Sequence, residues 1–226
     1  MKYMVHRRNK IEELQTVDTR YGVEIDLRTD RINNEKKLIL VHDPFEDGVL
    51  FENWIQAYNH GTLILNVKED GLESKIREVI EHYKPGFRDY FFLDQSAPYM
   101  ILESIRGQRQ MAIRISTGFF ETIDSAMAMA GKIDWAWIDC FKQSNEKDVF
   151  SSSAFPISKE DAKKLEINGK FKICLVSPEL HGRNPETAIP ELFKLMLDRD
   201  IDSSNFSVCT KRPDIWEKLE KEYNVA

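Results

Sequence analysis

The chain has 226 residues, a formal net charge of −6, 42% hydrophobic and 11% aromatic residues, and only 10 Gly and 8 Pro. That composition excludes a disordered or fibrous chain. A mean hydropathy of −0.47, with no long uncharged apolar run, excludes a membrane span. The negative balance argues against nonspecific nucleic-acid binding, which needs a basic face to displace counterions. His6, Arg7, Arg8 and Lys10 follow the first apolar residues at once and leave no leader-length apolar segment. Cys140, Cys174 and Cys209 are odd in number, widely spaced and set in or beside apolar runs. They are expected to be reduced, buried thiols of a cytoplasmic protein rather than zinc ligands.

Short β-type runs alternate with helical stretches from end to end. Residues 2–6 (KYMVH), 23–27 (VEIDL) and 38–41 (LILV) read as strands. Polar residues 29–37, with the turn signal Asn33-Asn34, predict a hairpin between the last two. Residues 51–58 read as a helix. Strand 62–68 (TLILNVK) precedes a helix over 72–83, with apolar residues at helical spacing. The pattern repeats as strand 90–94 and helix 98–105, then strand 111–115 and helix 122–130. Strand 135–138 follows, then a long polar loop over 141–158 and a short helix over 159–165. Strand 171–176 precedes a helix over 185–197, and strand 205–210 precedes a helix over 213–223. The residues at 11–14 begin a short helical piece.

With the hairpin run set aside, eight strand-like runs remain, most followed by a helix. This alternation predicts an α/β fold with a parallel sheet, and eight units in this length predict a single (β/α)₈ TIM barrel spanning 1–226. An open doubly wound sheet would show a glycine-rich turn after its first strand, and none is present.

In such a barrel, chemistry collects at the carboxyl ends of the strands. Those ends carry His6 and Arg7, Glu24 and Asp26, His42 and Asp43, Asn66 and Lys68, Asp94, Arg114, Asp139, Glu179 with His181, and Lys211. Glu24 and Asp26 are two apart on a strand and share one face. Two inward carboxylates must be neutralised. A hard divalent cation would do so, and so would interior salt bridges to Arg114 or Lys68. His6 and His42 each end an apolar run, and a pair of imidazoles can supply one general base and one general acid. With a cation held by carboxylates and nearby Arg and Lys, the set suits phosphodiester cleavage. Trp54, Trp135, Trp137 and Trp216 are expected in the core.

The order His6-Arg7-x-Asn9, Gly22-Val-Glu24-Ile-Asp26-Leu and Val41-His42-Asp43 resembles the glycerophosphodiester phosphodiesterases, within the phosphatidylinositol-phospholipase-C-like barrels. Leu65-Asn66-Val67-Lys68 falls where that family has an (I/L)-E-(I/L)-K strand, and Cys209-Thr210-Lys211-Arg212-Pro213-Asp214 falls at its closing T-D-x-P strand end. The resemblance implies a phosphoric diester hydrolase. His6 and His42 would be the acid/base pair and Glu24 and Asp26 metal ligands, with Arg7 and Lys68 contacting phosphate. The metal would be magnesium or calcium. Arg114 is a further candidate phosphate contact, and Asn66 a neutral metal ligand in place of a glutamate. Arg8 replaces the family's glycine and Lys211 its aspartate, so the site has fewer negative charges than the family pattern. The expected partner is a small-molecule phosphodiester, with neither nucleic acid nor stable membrane insertion. A non-catalytic barrel that binds a phosphorylated ligand is one alternative. Transfer to an internal hydroxyl, giving a cyclic phosphate, is the other.

Overall fold

The computed structural model describes residues 1–32, 35–116, 121–139 and 156–223. The chain divides into two compact units, one of Met4–Met111 and one of Met1–Tyr3 with Ala112–Ala226.

In the first unit, β1 (Lys2–Val5) leads through α1 (Ile11–Gln15) to β2 (Gly22–Ile32), which turns back as β3 (Glu35–Leu40). The predicted hairpin is present, with Leu27 opposite Leu40 and Ile32 opposite Glu35; its turn signal at 33–34 lies outside the described residues. The two-residue β4 (Val49–Leu50) extends the antiparallel edge and runs into α2 (Phe51–Ala57). Then follow β5 (Leu63–Val67), α3 (Glu73–Tyr83), β6 (Tyr90–Leu93) and α4 (Ala97–Ile105). The strands β1, β2, β5 and β6 pair in parallel, β2 lying between β1 and β5. Every residue of β5 and β6 is buried. Strands covered on both faces read as continuous apolar runs, which is why LILNV and YFFL do not alternate. Gly22 opens β2 where a Cβ would stand 2.2 Å from the Thr62 carbonyl oxygen, so the two backbones approach this closely only without a side chain.

In the second unit, β7 (Ala112–Ser116), α5 (Ile123–Ala128), β8 (Trp135–Asp139), α6 (Lys159–Lys163), β9 (Lys172–Val176), α7 (Pro185–Asp198), β10 (Ser207–Thr210) and α8 (Pro213–Glu222) continue the alternation. The pairings β7–β8, β8–β9 and β9–β10 are all parallel. Helix starts follow local chemistry. Thr122, Ser158 and Asn184 accept the orphan N–H groups of the first turns, and Pro185 and Pro213 sit where no N–H is needed. A single π-helical turn (Lys164–Asn168) prolongs α6, and a 3₁₀ turn (Pro178–His181) lies in what reads as a loop.

The architecture is thus mixed α/β with parallel strands and helical crossovers. Closure into the expected (β/α)₈ ring is not among the observed ladders. Among the described residues β6 has a ladder only to β5, beyond which one isolated bridge joins Phe92 to Met111, and β7 has a ladder only to β8. Cys174 and Cys209 are buried thiols; Cys140, like residues 141–155 of the expected long loop, lies outside the described residues. All four tryptophans are buried. Among the described residues no helix is long and apolar enough to cross a membrane.

Candidate active site

Four parallel strands of the first unit bring a polar cluster together at their carboxyl ends. The register sets Met4 beside Gly22, Asp26 beside Asn66, and Asn66 beside Leu93. Glu24, Asp26 and Asn66 are therefore carried on neighbouring strands with their backbones fixed in the core. All three are buried, Asp26 completely.

Glu24 is held from two sides. Its Oε2 accepts the Arg7 backbone N–H at 2.8 Å, and its Oε1 accepts Asn66 Nδ2 at 3.0 Å. His6 Nε2 stands 3.8 Å from the same Oε2. Burial, with the Asp26 charge adding to it, pushes the Glu24 carboxyl up to about 7, against the lowering effect of Asn66, the Arg7 N–H and Lys68. Asp26 is surrounded by donors. Its Oδ2 accepts Asn9 Nδ2 at 3.0 Å, with Arg7 Nε at 3.3 Å, and its Oδ1 lies 3.1 Å from Lys68 Nζ. The Arg7 and Lys68 contacts are within ion-pair reach but off hydrogen-bond alignment, since Arg7 Nε and Asp26 Oδ1 both lack an aligned partner. The cations are close counter-ions rather than fixed donors.

Asn9 also accepts the Asp26 backbone N–H at 2.9 Å, so its amide clamps the strand and its carboxylate together. The x-Asn9 position of the opening motif was the only sequence signal for this role. Arg7 takes the left-handed backbone, φ 50°. Arg8 does not, so an arginine there meets no backbone objection of the kind glycine answers. The Arg8 N–H donates to the Glu24 carbonyl, and the Arg8 carbonyl accepts Trp54 Nε1 at 2.9 Å. The turn after β1 is thus pinned by a buried indole.

His42 follows Val41, whose N–H donates to the Asp26 carbonyl at 3.2 Å. The Arg28 side chain donates to the His42 carbonyl, and His42 Nδ1 pairs with Asp43 Oδ1 at 2.8 Å. The backbone therefore sets His42 just past the end of β3, beside the Asp26 stretch of β2, and Asp43 occupies its Nδ1. Asp94, in left-handed conformation at the end of β6, brings Oδ2 to 3.8 Å from Lys68 Nζ.

No model of a known protein family and no curated protein sequence matches the chain. A solved structure does. The crystal structure of "Putative glycerophosphoryl diester phosphodiesterase" from Agrobacterium tumefaciens superposes over 100% of this chain and 99% of its own, with a TM-score of 0.64 at 12% identity. The two proteins share a fold. That neighbour bears the name of the family that the motifs His6-Arg7-x-Asn9, Glu24-x-Asp26 and His42-Asp43 resemble. At this identity the likeness speaks for architecture and not for any single side chain.

Of the residues predicted from sequence, His6, Arg7, Glu24, Asp26, Asn66 and Lys68 are linked by direct contact, and His42 stands on the adjoining strand end. Arg114 is carried by the second unit, where its guanidinium binds Asp139 and approaches Glu121. Asp139 is buried and also receives His181 Nε2 at 2.6 Å. Of the two salt-bridge partners considered for the carboxylates, Lys68 takes that place, while Arg114 has its own. Glu179 accepts from Ser177, Thr210 and the Lys211 N–H, which ties the end of β10 to β9 as a satisfied structural network.

Among the described residues no group of three or more His, Cys, Asp or Glu is arranged to hold a metal. The two carboxylates nevertheless share their face with one more hard oxygen. Asn66 Oδ1 is buried and has no hydrogen-bond partner among the described residues. An orphaned buried amide oxygen beside Glu24 and Asp26 fits the oxygen-only donor set that magnesium and calcium prefer.

Proposed function

We propose that the protein is a phosphodiesterase that hydrolyses a small glycerophosphodiester-like substrate, with His6 and His42 as the proton-transfer pair. The observation that carries this reading is the meeting of His6, Arg7, Glu24, Asp26, Asn66 and Lys68 at the carboxyl ends of adjacent parallel strands, with His42 on the next strand end. In the reaction, a neutral imidazole takes the proton of the attacking water as its oxygen bonds to phosphorus. The ester P–O bond breaks, and an imidazolium protonates the departing alkoxide. Arg7 and Lys68 face the nonbridging oxygens, where charge collects. Asp43 keeps His42 Nδ1 occupied, so that Nε2 carries the transferred proton. Glu24, Asp26 and Asn66 would hold magnesium or calcium, which when bound stabilises charge on those same oxygens.

The test is a panel of glycerophosphodiesters incubated with magnesium, calcium, manganese or chelator, followed by phosphorus NMR. A phosphomonoester and a free alcohol are expected, with activity lost on chelation. A cyclic phosphate as the end product would replace hydrolysis by internal transfer. Inactivity on every diester would leave ligand binding as the function of the site.

A further inference from the structure

Lys68 stands between two carboxylates on neighbouring strand ends. Its Nζ lies 3.1 Å from Asp26 Oδ1 and 3.8 Å from Asp94 Oδ2. The strand register builds this arrangement. Asp26 is paired with Asn66 and Asn66 with Leu93, so Lys68, two residues beyond Asn66, and Asp94, one beyond Leu93, leave their strands side by side. Asp94 leaves in the left-handed conformation, φ 63°, which aspartate tolerates better than most residues. The two carboxylates differ in setting. The Asp26 side chain is 1% exposed and the Asp94 side chain 30%. The ammonium therefore has a buried counter-ion close by and a wetter one within a small rotation of its own chain.

We propose that Asp94 is the receiving counter-ion for Lys68. When a divalent cation takes Asp26, the ammonium moves off Asp26 Oδ1 and onto the Asp94 carboxylate. The inference rests on the cation reading of the site given above and adds a residue to it. An ammonium 3.1 Å from a ligand oxygen opposes a dication at that same oxygen, because like charges at such a separation repel strongly in a site screened from water. The pair with Asp26 must therefore open. The Lys68 side chain is only 15% exposed, and leaving it without a counter-ion would be costly. Asp94 removes that cost and keeps the ammonium at the strand ends, where it still reaches phosphate. Asp94 is a positioning residue in this scheme, acting through Lys68.

Calorimetric titration with magnesium and with calcium, without substrate, tests this on the wild type, Asp94→Asn, Lys68→Met and the double variant. Asp94→Asn is expected to weaken binding about tenfold, within the range of coupling between contacting residues. Lys68→Met is expected to tighten it. The deciding comparison is Asp94→Asn in the Lys68→Met background, where it should change affinity by less than about twofold. Equal weakening in both backgrounds would mean that Asp94 acts by its charge alone, and would overturn the proposal. Wild-type binding that neither substitution alters would overturn it while leaving the cation site standing. If neither the wild type nor Lys68→Met binds either ion, the cation reading itself falls, and this proposal with it. Asp94→Gly, which suits the left-handed backbone, and Lys68→Gln replace either variant that fails to fold.

Discussion

Replacing Glu24 by Gln should flatten the dependence of stability on pH. The carboxyl is fully buried and raised from 4.5 to about 7, mainly by desolvation and secondarily by the Asp26 charge. Its protonated form is thus favoured in the folded chain by ~3 kcal/mol relative to the unfolded one. This contribution is complete below pH 4.5, where the carboxyl is protonated in both states, and is lost as pH rises through about 7. Glutamine imitates the protonated carboxyl. Its amide oxygen can keep the Arg7 N–H. Its amide nitrogen can serve the orphaned Asn66 Oδ1 once the Asn66 amide turns over. Melts of the wild type and Glu24→Gln in chelator, at pH steps from 5 to 8.5, isolate the group, since every other titration is common to both. About 2.5 kcal/mol of that lies between pH 5 and 8.5, so the wild type should lose ground to the variant by about 5–10 °C across that range, at 2–4 °C per kcal/mol for a chain of this length. A wild-type-minus-variant difference that does not move with pH would refute the reasoning.

His6→Ala and His42→Ala should each lower phosphodiesterase turnover by about 10²–10⁴-fold, with melts nearly unchanged. The double variant should be little worse than the poorer single, as expected of residues acting as a unit. Asn66→Glu puts a third carboxylate in place of a donor to Glu24. It should tighten magnesium and calcium binding in calorimetry while lowering the melting temperature in chelator. Arg114→Met strips the guanidinium from buried Asp139 and should cost about 3–5 kcal/mol in chemical denaturation. If Arg114 contacts phosphate instead, KM should rise with stability intact.

Much of this was legible because it depends on local pattern. The runs LILNV, YFFL and WAWID declare strands buried on both faces, and the alternation Val23-Glu24-Ile25-Asp26-Leu27 declares which side chains share a face. The hairpin was legible from its turn residues, but not the length of β2, which runs on to Ile32. Past Arg28 its polar residues pair only with β3, outside the covered sheet, where apolarity is no longer required. The pairing of Arg114 with Asp139 was hidden because it depends on register. Ser116 lies opposite Asp139, which sets Arg114, two residues earlier on the same face, within reach. The clamp by Asn9 and the approach of Lys68 to Asp94 were hidden for the same reason. Each joins residues whose contact is decided by how strands align, and a single sequence carries no record of that alignment.

The departure at position 66 changes the charge of the site more than its shape. Asn66 keeps its register opposite Asp26, and its amide donates to Glu24 as an anionic side chain could not. Two carboxylates, Glu24 and Asp26, now share the site with two cations, Arg7 and Lys68, both in contact with Asp26, so the strand ends can pack without a metal. A glutamate at 66 would leave one buried negative charge uncompensated until a dication arrived, since a lone buried carboxylate is among the costliest groups a fold can carry. Two of the site's features follow from that balance. The Glu24 carboxyl stays partly protonated near neutrality because burial, with the Asp26 charge adding to it, outweighs the lowering by Asn66, the Arg7 N–H and Lys68. The two counter-ions of Asp26 stand off hydrogen-bond alignment, close enough to neutralise it and loose enough to be displaced. A site of this kind trades affinity for metal against stability without it. The chain's own residues place it on the side where folding does not wait for the ion.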